Sequence, residues 1–413
     1  MANPQNLRID GDRLWQSLME MAKIGATAKG GSKRLALSDL DRQGRDLFVR
    51  WSREAGCEVT IDRIGNIFAR RRGRRGDLPP VVCGSHLDTQ PTGGKFDGVY
   101  GVLAGLEIIR TLNDAEYETD APIEISVWTN EEGSRFAPAM VGSGVFAGVF
   151  DLDYGHGRAD LAGKTIGEEL RRIGYLGDQP AGGRPFRAFF EAHIEQGPIL
   201  EAEGKTIGVV QGIQGIRWFE VRITGAESHA GTTPMNRRRD ALLGAARVID
   251  RVSAIALDYP PGVSTVGLVE VSPNSRNTIP GSVFFSVDLR HPDDDVLREM
   301  TAALDRALAI VCGDLGLLFD NTEIWWSPAV HYDEGCIAAV RDAASTLGYS
   351  HRDIVSGAGH DAGYIARVAP VAMVFVPCKD GISHNEIEDA APADLAAGCN
   401  VLMRAMLAHA MAG

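Results

Sequence analysis

The chain has 413 residues, more than one hydrophobic core usually organises, so we expect two domains with one inserted in the other. Hydrophobic residues make up 44% and charged residues 23%, which is typical of folded soluble proteins, and the formal net charge of −13 argues against a nucleic-acid partner. We expect no secretory leader and no membrane association, because we find neither a basic-then-apolar start nor a stretch of about 18 apolar residues. Six scattered cysteines favour reduced thiols in a cytoplasmic protein.

Strands and helices are predicted to alternate in the first part of the chain and again at its end. Short apolar stretches predict buried strands at 80–85, 122–128, 186–192 and 370–376. Apolar residues at helical spacing predict helices from residue 98 onward and at 395–407. This alternation predicts an α/β fold with a largely parallel sheet covered on both faces. A basic run at 70–75 is interpreted as a solvated turn between two strands.

The middle of the chain has a different pattern. Strands are predicted at 216–224, 264–271, 282–290 and 319–326, and helices at 237–255 and from 292 onward. Their order, β-α-β-β-α-β, is the ferredoxin-like pattern. We therefore expect a small α+β domain at 212–328, inserted into a catalytic α/β domain formed by residues 1–211 and 329–413.

Residues that can bind metal ions stand near the ends of the predicted strands of the larger domain. They are His86, Asp97, Glu132, His193 and His384. Each has an ordinary structural explanation when taken alone, since a lone histidine is usually hydrogen-bonded and an aspartate before a helix, like Asp97, is usually its N-cap. Together they meet at one edge of one sheet, where open α/β folds place their sites. Three imidazoles and two carboxylates predict a centre for two divalent metals, with zinc preferred and manganese, cobalt or nickel as alternatives.

Seven short stretches spread over nearly the whole chain carry a family signature. They are GSHLDT at 84–89, GGKFDG at 93–98, NEEGSRF at 130–136, HIEQG at 193–197, SHAGTTPM at 228–235, SGAGHDA at 356–362 and GISHN at 381–385. In this order they resemble the peptidase M20 superfamily, and within it the hydantoinase/carbamoylase branch. That branch includes N-carbamoyl-L-amino-acid hydrolases, β-ureidopropionases and allantoate amidohydrolases. The resemblance implies a metal-binding α/β domain and a smaller lid domain used for dimerisation.

The resemblance also implies roles for the residues of the predicted metal centre. Asp97 would bridge the two metals, with His86 and His193 completing one site and Glu132 and His384 the other. Asp88 would orient His86 through its other ring nitrogen. Glu131 would be the general base, which takes a proton from water and passes it to the leaving nitrogen.

Further residues are implied in substrate binding. Arg290 would hold the substrate carboxylate, since a planar guanidinium can donate two parallel hydrogen bonds. Asn277 and Gln196 would add hydrogen bonds. His229 would polarise the scissile carbonyl, often from the partner subunit in this family, and His360 would contact substrate or hold its loop.

The expected activity is hydrolysis of an N-carbamoyl-L-amino acid or N-carbamoyl-β-alanine to the amino acid, ammonia and carbon dioxide, by a homodimer formed through the lid. Allantoate amidohydrolysis is the alternative within the same class. A peptidase or aminoacylase is disfavoured, because the peptidase members usually carry a carboxylate where this chain has His193. A non-catalytic homologue would be expected to have lost a ligand or the base, and all five ligands and Glu131 are present.

Overall fold

The structure is a computed structural model that describes residues 6–411, so the ends of the expected larger domain, residues 1–5 and 412–413, lie outside the described residues. The chain divides into two compact units. The first runs to Gly212 and resumes at Tyr332, and the second spans Ile213–His331. The sequence analysis placed the inserted segment at 212–328. Among the described residues, no helix is both long and apolar enough to cross a membrane.

The described chain alternates short strands with helices of very different length. The strands are β1 (Glu58–Ile61), β2 (Ile67–Arg71), β3 (Val81–His86), β4 (Ile123–Trp128), β5 (Ala188–Ile194), β6 (Ile207–Ile213), β7 (Gly215–Thr224), β8 (Ser228–His229), β9 (Val263–Thr265), β10 (Val269–Ser272), β11 (Thr278–Ile279), β12 (Ser282–His291), β13 (Leu318–Ser327), β14 (Val330–His331), β15 (His351–Ser356) and β16 (Val371–Val376). The helices are α1 (Gly11–Ala22), α2 (Asp39–Glu54), α3 (Val99–Asp114), α4 (Val141–Phe146), α5 (Leu152–His156), α6 (Ile166–Ile173), α7 (Ile199–Ala202), α8 (Ala241–Asp258), α9 (Asp294–Leu315), α10 (Glu334–Leu347), α11 (Asp361–Ile365) and α12 (Pro392–Ala410).

The first unit is built on one sheet with the strand order β1-β2-β4-β3-β5-β16-β6, and β15 pairs with β6. The four central strands β4, β3, β5 and β16 are parallel, whereas β2 and β6 join them antiparallel. Every residue of those four strands is buried. A strand covered on both faces needs apolar side chains on both, which explains why these strands read as continuous apolar stretches. The predicted α/β fold with a largely parallel sheet is therefore confirmed.

Three sequence predictions differ from the structure in detail. The third central strand lies two residues later than expected, so His193 stands inside β5. The strand predicted at 264–271 is two short strands, β9 and β10, with a break between them. The basic run is only partly a turn, because Arg70 and Arg71 belong to β2 and Arg70 forms an ion pair with Glu124 at 2.6 Å.

The second unit is an antiparallel sheet with helices α8 and α9 against one face. The strand order is β10-β12-β7-β13, and β9 also pairs with β12. Side chains alternate along β7 and β12, so that one face, including Phe219, Val221 and Phe285, is buried in the core of this unit. With β9 and β10 counted as one broken strand, the strands of this sheet and the two helices follow the order β7, α8, β9/β10, β12, α9, β13, which is the β-α-β-β-α-β pattern. Strand β13 forms one edge of this sheet, and no described strand pairs with its outer side.

Candidate metal centre

The loop after β3 positions His86, the last residue of that strand. The fully buried Arg34 supports this loop, because its Nε donates to the main-chain oxygen of Leu87 at 2.9 Å and its main-chain N–H donates to Thr89 Oγ1 at 2.7 Å. His86 Nδ1 lies 2.8 Å from the main-chain oxygen of Asp88. An N–H on Nδ1 makes this hydrogen bond, so in the neutral ring Nε2 carries the lone pair that can bind a metal.

The contact between Asp88 and the other ring nitrogen of His86 comes from the main chain of Asp88. The ring is held by the main-chain oxygen of Asp88 and not by its carboxylate. The carboxylate instead accepts the main-chain N–H groups of Glu131 and Glu132, each at 3.3 Å. Asp88 therefore ties the loop after β3 to the loop after β4.

Asp97 precedes helix α3 without capping it. The N-cap position is Gly98, and no side chain makes the capping hydrogen bond. Gly98 has a φ of 67°, which favours glycine, and a Cβ at this position would lie 2.3 Å from the ring of His86. A larger residue would displace the imidazole, so this turn lets the helix start directly beside His86. The carboxylate of Asp97 is thereby directed to the imidazoles and not to the helix.

The predicted metal-binding residues come together in two overlapping groups that share Asp97. The first contains His86, Asp97 and His193, and the second contains Asp97, Glu132 and His384. Asp97 Oδ1 lies 3.4 Å from His86 Nε2 and 3.2 Å from His193 Nε2. Its other oxygen, Oδ2, lies 3.4 Å from His384 Nε2, which is 3.5 Å from Glu132 Oε2. One carboxylate thus presents an oxygen to each group.

These distances fit residues that would share metal ions. In a tetrahedral site with bonds of about 2.0–2.2 Å, neighbouring ligand atoms lie roughly 3.3–3.5 Å apart. The distances observed here between imidazole nitrogens and carboxylate oxygens are 3.2 to 3.5 Å. They are longer than the ~2.9 Å typical of an N–H···O hydrogen bond. The donor set of imidazoles and carboxylates also suits divalent ions such as zinc.

The electrostatics of the cluster also favour bound cations. Burial opposes the charge on Asp97, but the imidazoles of His193 and His86 outweigh it and hold the pKa of Asp97 well below its usual range. Burial raises the pKa of Glu131 well above its usual range, and neighbouring carboxylates raise it further. Burial and Asp97 raise the pKa of Glu132 to about 8. Buried carboxylates that repel one another are stabilised by cations placed between them.

Glu131 lies beside the first group without belonging to it. Its Oε2 is 3.5 Å from His86 Nε2, and the residue is 8% exposed. The turn that separates it from β4 places Asn130 at a φ of 58°, and the amide of Asn130 donates to the main-chain oxygen of Phe136 at 2.8 Å. This strained turn directs two consecutive glutamates to different positions, so that Glu132 joins the second group and Glu131 remains available for proton transfer.

Gln196 also lies in the cluster, with a contact that the sequence did not predict. Its amide nitrogen donates to Asp97 Oδ2 at 2.9 Å and lies 3.3 Å from Ser383 Oγ. Its buried carbonyl oxygen Oε1 has no hydrogen-bond partner among the described residues. A buried acceptor without a donor is costly, so a ligand N–H at this point would satisfy it.

His360 is buried behind His193 and not exposed to solvent. The two rings meet edge to face with centroids 4.6 Å apart, and His360 Nε2 lies 3.1 Å from Ser356 Oγ. Burial lowers the pKa of His360 well below its usual range, and His193 lowers it further. Glu191, His193 and His360 form a third group whose ligand atoms lie within 4.8 Å of one another. The neutral imidazole of His360 therefore packs against His193.

The second unit brings His229 and Asn277 together in a small ribbon. Strands β8 and β11 pair antiparallel, and the main-chain oxygen of Asn277 accepts the N–H of Ala230 at 2.9 Å. His229 is exposed, and its Nδ1 accepts the N–H groups of Gly231 at 3.0 Å and Thr232 at 3.2 Å. Because Nδ1 is an acceptor, the neutral ring carries its proton on Nε2. His229 is therefore held as a hydrogen-bond donor.

Arg290 stands near the end of β12 with an acidic partner on the same face of the strand. Its Nη2 donates to Asp288 Oδ2 at 2.8 Å, and its Nε donates to both carboxylate oxygens at 3.1 and 3.2 Å. Both side chains are partly exposed. Asp288 holds the guanidinium with the same geometry that a substrate carboxylate would use.

Sequence reasoning missed several residues of the cluster. Gln90 donates to Glu132 Oε2 at 2.6 Å, Ser383 Oγ lies 3.0 Å from Asp97 Oδ2, and Glu388 accepts the main-chain N–H of Asp97 at 3.2 Å. Gln90 directly follows the stretch GSHLDT and Ser383 lies within GISHN, which is a signal of position only. Glu388 lies outside every quoted motif, and nothing in the sequence distinguishes it from a solvated glutamate.

Comparison with known proteins gives a consistent result along the chain. The sequence profile of peptidase family M20/M25/M40 matches residues 82–408. An N-carbamoyl-L-amino-acid amidohydrolase of Rhizobium meliloti is 51% identical over 98% of both chains, and the allantoate amidohydrolase of Escherichia coli is 33% identical over 94% of this chain and 95% of its own. A crystal structure of an amidase of the hydantoinase/carbamoylase family from Burkholderia multivorans is 65% identical, covers 98% of this chain and 99% of that chain, and superposes with a TM-score of 0.96.

Proposed function

Because the chain belongs to peptidase family M20/M25/M40, we propose that it is a metal-dependent amidohydrolase that hydrolyses N-carbamoyl-L-amino acids. The observation that carries the proposal is the 51% identity, over 98% of both chains, to a protein named for that activity. The cluster around Asp97 supports it, because His193 contributes an imidazole to the first group. The resemblance noted in the sequence associates that imidazole with carbamoyl compounds and a carboxylate there with peptides.

The proposed centre holds two divalent ions, with His86, Asp97 and His193 as ligands of one and Asp97, Glu132 and His384 as ligands of the other. Zinc is the proposed metal, and manganese, cobalt and nickel are the alternatives. Such ions lower the pKa of water and stabilise the negative charge that develops on the carbonyl oxygen. Elemental analysis of the purified protein should find two metal ions per chain, and one or none would contradict the proposal.

Glu131 is the proposed general base. It accepts a proton from the water that adds to the carbamoyl carbon, and it returns that proton to the leaving nitrogen when the C–N bond breaks. One water is consumed, and decomposition of the released carbamate completes the products as amino acid, ammonia and carbon dioxide. Burial raises the pKa of Glu131, which favours acceptance of a proton by this carboxylate.

Five further residues have proposed roles that concern the substrate, taken one by one. Arg290 holds the substrate carboxylate in place of Asp288, and Asn277 adds a hydrogen bond. His229 donates from Nε2 to the carbonyl oxygen, which the hydrogen bonds to its Nδ1 support. The unpaired carbonyl oxygen of Gln196 accepts a carbamoyl N–H. His360 positions His193, against which its ring packs, and makes no direct contact with the substrate.

The decisive experiment measures ammonia release by the purified protein with zinc or manganese. Substrates are N-carbamoyl-L-α-amino acids, their D-enantiomers, N-carbamoyl-β-alanine and allantoate. We expect the highest kcat/KM with an N-carbamoyl-L-α-amino acid and no turnover of its D-enantiomer. A preference for allantoate would support the second candidate, which rests on the 33% identity to the allantoate amidohydrolase of E. coli. No turnover of any of these compounds would contradict the proposal.

We also propose a homodimer formed through the second unit, at strand β13. This strand is ten residues long and forms a sheet edge, and Leu318, Ile324 and Trp326 on it are 73%, 49% and 49% exposed. A long apolar strand edge favours pairing with another strand. If β13 pairs with β13 of a second copy, two-fold symmetry gives a closed dimer and no further copies can add. Analytical sedimentation should show a dimer, and Leu318→Lys should weaken it. The control variant Leu161→Lys changes a fully exposed loop residue of the first unit and should leave the dimer unchanged. A wild-type monomer at micromolar concentration would contradict this.

A cytoplasmic location is proposed from the cysteines. All six are buried and none forms a disulfide. Such usage is typical of proteins kept in a reducing compartment. Fractionation of cells that express the natural gene tests this, and recovery outside the cytoplasm would contradict it.

A further inference from the structure

Glu388 joins two chain segments that are far apart in sequence and both contribute to the candidate metal centre. It lies in the segment after β16, four residues beyond His384, and is 1% exposed. Its Oε1 accepts the main-chain N–H of Phe96 at 3.0 Å and that of Asp97 at 3.2 Å. The segment that carries Asp97 is therefore fixed by a side chain from the segment that carries His384.

The packing around Glu388 leaves room for its carboxylate and for little else. A Cβ built on Gly94 would lie 2.0 Å from both Cδ and Oε1 of Glu388. A Cβ built on Gly31 would lie 2.5 Å from the main chain of Glu386, two residues earlier. Since real Cβ atoms do not approach other atoms so closely, Gly94 allows the Asp97 segment to meet Glu388 at hydrogen-bonding distance, and Gly31 allows the loop between α1 and α2 to pack against both segments.

The second oxygen of Glu388 reaches the carboxylate of Asp97 through one hydroxyl group. Glu388 Oε2 lies 3.0 Å from Ser383 Oγ, and the same hydroxyl oxygen lies 3.0 Å from Asp97 Oδ2. Oδ2 is the oxygen that Asp97 presents to the second group, 3.4 Å from His384 Nε2. Glu388 thus contacts the Asp97 segment directly at the main chain, and Ser383, whose single proton can be donated to either carboxylate, lies between the two side chains.

We propose that Glu388 is a positioning residue that fixes the carboxylate of Asp97 between the two ligand groups and thereby sets the affinity of both for metal. The inference rests on the proposed metal centre, because Asp97 must bridge two ions for its orientation to affect both. Groups that hold a metal ligand without touching the metal commonly change metal affinity by about 10- to 100-fold when they are removed. Glu388 needs no contact with metal or substrate to act in this way.

The test compares metal affinities in three variants. Glu388→Ala removes the contacts to the main chain and to Ser383, and chelator competition should give both metals about 10- to 100-fold weaker binding. Glu388→Gln keeps an oxygen for the two N–H groups and a partner for Ser383, so most of the affinity should return. Ser383→Ala removes the hydroxyl between Glu388 Oε2 and Asp97 Oδ2 but leaves Glu388 bound to the main chain of Phe96 and Asp97, so a smaller loss of about tenfold is expected.

A matched control separates positioning from general destabilisation. Glu107 is a buried glutamate of helix α3 with several hydrogen bonds, to Arg13 and Thr111 among others, and it lies outside the cluster. Glu107→Ala should lower the melting temperature of the metal-free protein but leave metal affinity unchanged. The visible absorption of the cobalt-loaded protein is a second readout, because it reports the geometry of the ligands and should change in Glu388→Ala and not in Glu107→Ala.

The possible outcomes distinguish this inference from the function on which it rests. A wild-type protein that binds no metal would overturn the proposed centre itself. A wild-type protein with two metals, together with unchanged affinities and an unchanged cobalt spectrum in Glu388→Ala, would overturn the role of Glu388. If Glu388→Ala does not fold, Ser383→Ala decides, since wild-type affinity and an unchanged spectrum in that variant would also overturn it.

Discussion

The two units hold their candidate functional groups in opposite ways. In the first unit, His86, Asp97 and His193 are at most 4% exposed. Main-chain oxygens hold the two imidazoles at the ends of parallel strands, and Glu388, from a distant segment, accepts the main-chain N–H of Asp97. In the second, His229 is exposed and Arg290 is partly exposed, and each is held by neighbours within three residues in sequence. Metal ligands must keep fixed distances, whereas groups that bind substrate must exchange one partner for another. Substitutions of the proposed metal ligands in the first unit should therefore change metal content, and substitutions of His229 and Arg290 in the second should change kinetic parameters without loss of metal.

The largest effect is expected from Asp97→Asn. The amide cannot present a charged oxygen to each ligand group, so both metals and all detectable turnover should be lost. Elemental analysis after gel filtration measures the loss. Asp10→Asn is the control, because Asp10 caps α1 and asparagine caps a helix equally well. If Asp97→Asn retained two metals, Asp97 would not be the shared ligand.

Glu131→Gln should lower kcat by about 10²- to 10⁴-fold, the range that proton transfer by a positioned group contributes. Its metal content should stay at two per chain, because Glu131 belongs to neither ligand group. Steady-state kinetics and elemental analysis on the same preparation test both statements. Loss of metal in this variant would assign Glu131 as a ligand and remove it as the base.

His229→Ala should lower kcat by about 100-fold without loss of metal, since a donor to the developing oxyanion is removed. His331, an exposed histidine of β14 in the same unit, provides the matched control variant His331→Ala. Equal kinetics in both variants would exclude His229 from catalysis. Loss of metal in His229→Ala would contradict the division of roles between the two units.

Arg290→Ala should raise KM for carboxylate-bearing substrates by about tenfold or more, which corresponds to loss of a charged hydrogen bond. Arg290→Lys should restore only part of the affinity, because an ammonium cannot donate two parallel hydrogen bonds. Asp288→Asn leaves the guanidinium in place and should raise KM much less. An unchanged KM in Arg290→Ala would remove Arg290 from the binding site.

The smallest expected effect is the pH dependence of metal binding. Because burial and Asp97 raise the pKa of Glu132 to about 8, this carboxyl is protonated below pH 8 in the metal-free protein. A metal must then displace the proton, so affinity should fall by up to about tenfold between pH 8 and pH 7 on account of this group. Chelator competition at each pH measures the slope. Constant affinity over this range would show that Glu132 is already ionised and would contradict the raised pKa.

The comparison of the two units also explains which parts could be predicted from the sequence. The central strands were located to within two residues, because strands buried on both faces are continuous apolar stretches. The second unit was predicted from the order of its strands and helices, and the strands expected at 216–224 and 282–290 correspond to β7 and β12, whose side chains alternate between a buried and a more exposed face. The prediction of one continuous strand at 264–271 was wrong, because the residues at this edge of the sheet bury little apolar surface that would keep a strand regular.

The contacts of individual side chains could not be predicted to the same extent. The order of the strands suggested that His86, Glu132, His193 and His384 would lie at one sheet edge, but no pattern indicates how far each lies from Asp97. The contacts of Asp97 with Glu388 and of Arg290 with Asp288 were not predicted. The first depends on tertiary packing between distant segments, and the second depends on which of several partners a long side chain reaches.

The position of β16 has a consequence for the order in which the protein is synthesised. This strand is one of the last elements of the chain, yet it lies inside the sheet between β5 and β6. The ribosome must release residues 371–376 before β5 is paired on both sides, and residue 384 before the second ligand group is complete. Until then the nascent chain presents an open strand edge next to a cluster of unneutralised carboxylates. A premature stop codon late in the gene would thus yield a nearly full-length chain that neither closes its sheet nor retains metal.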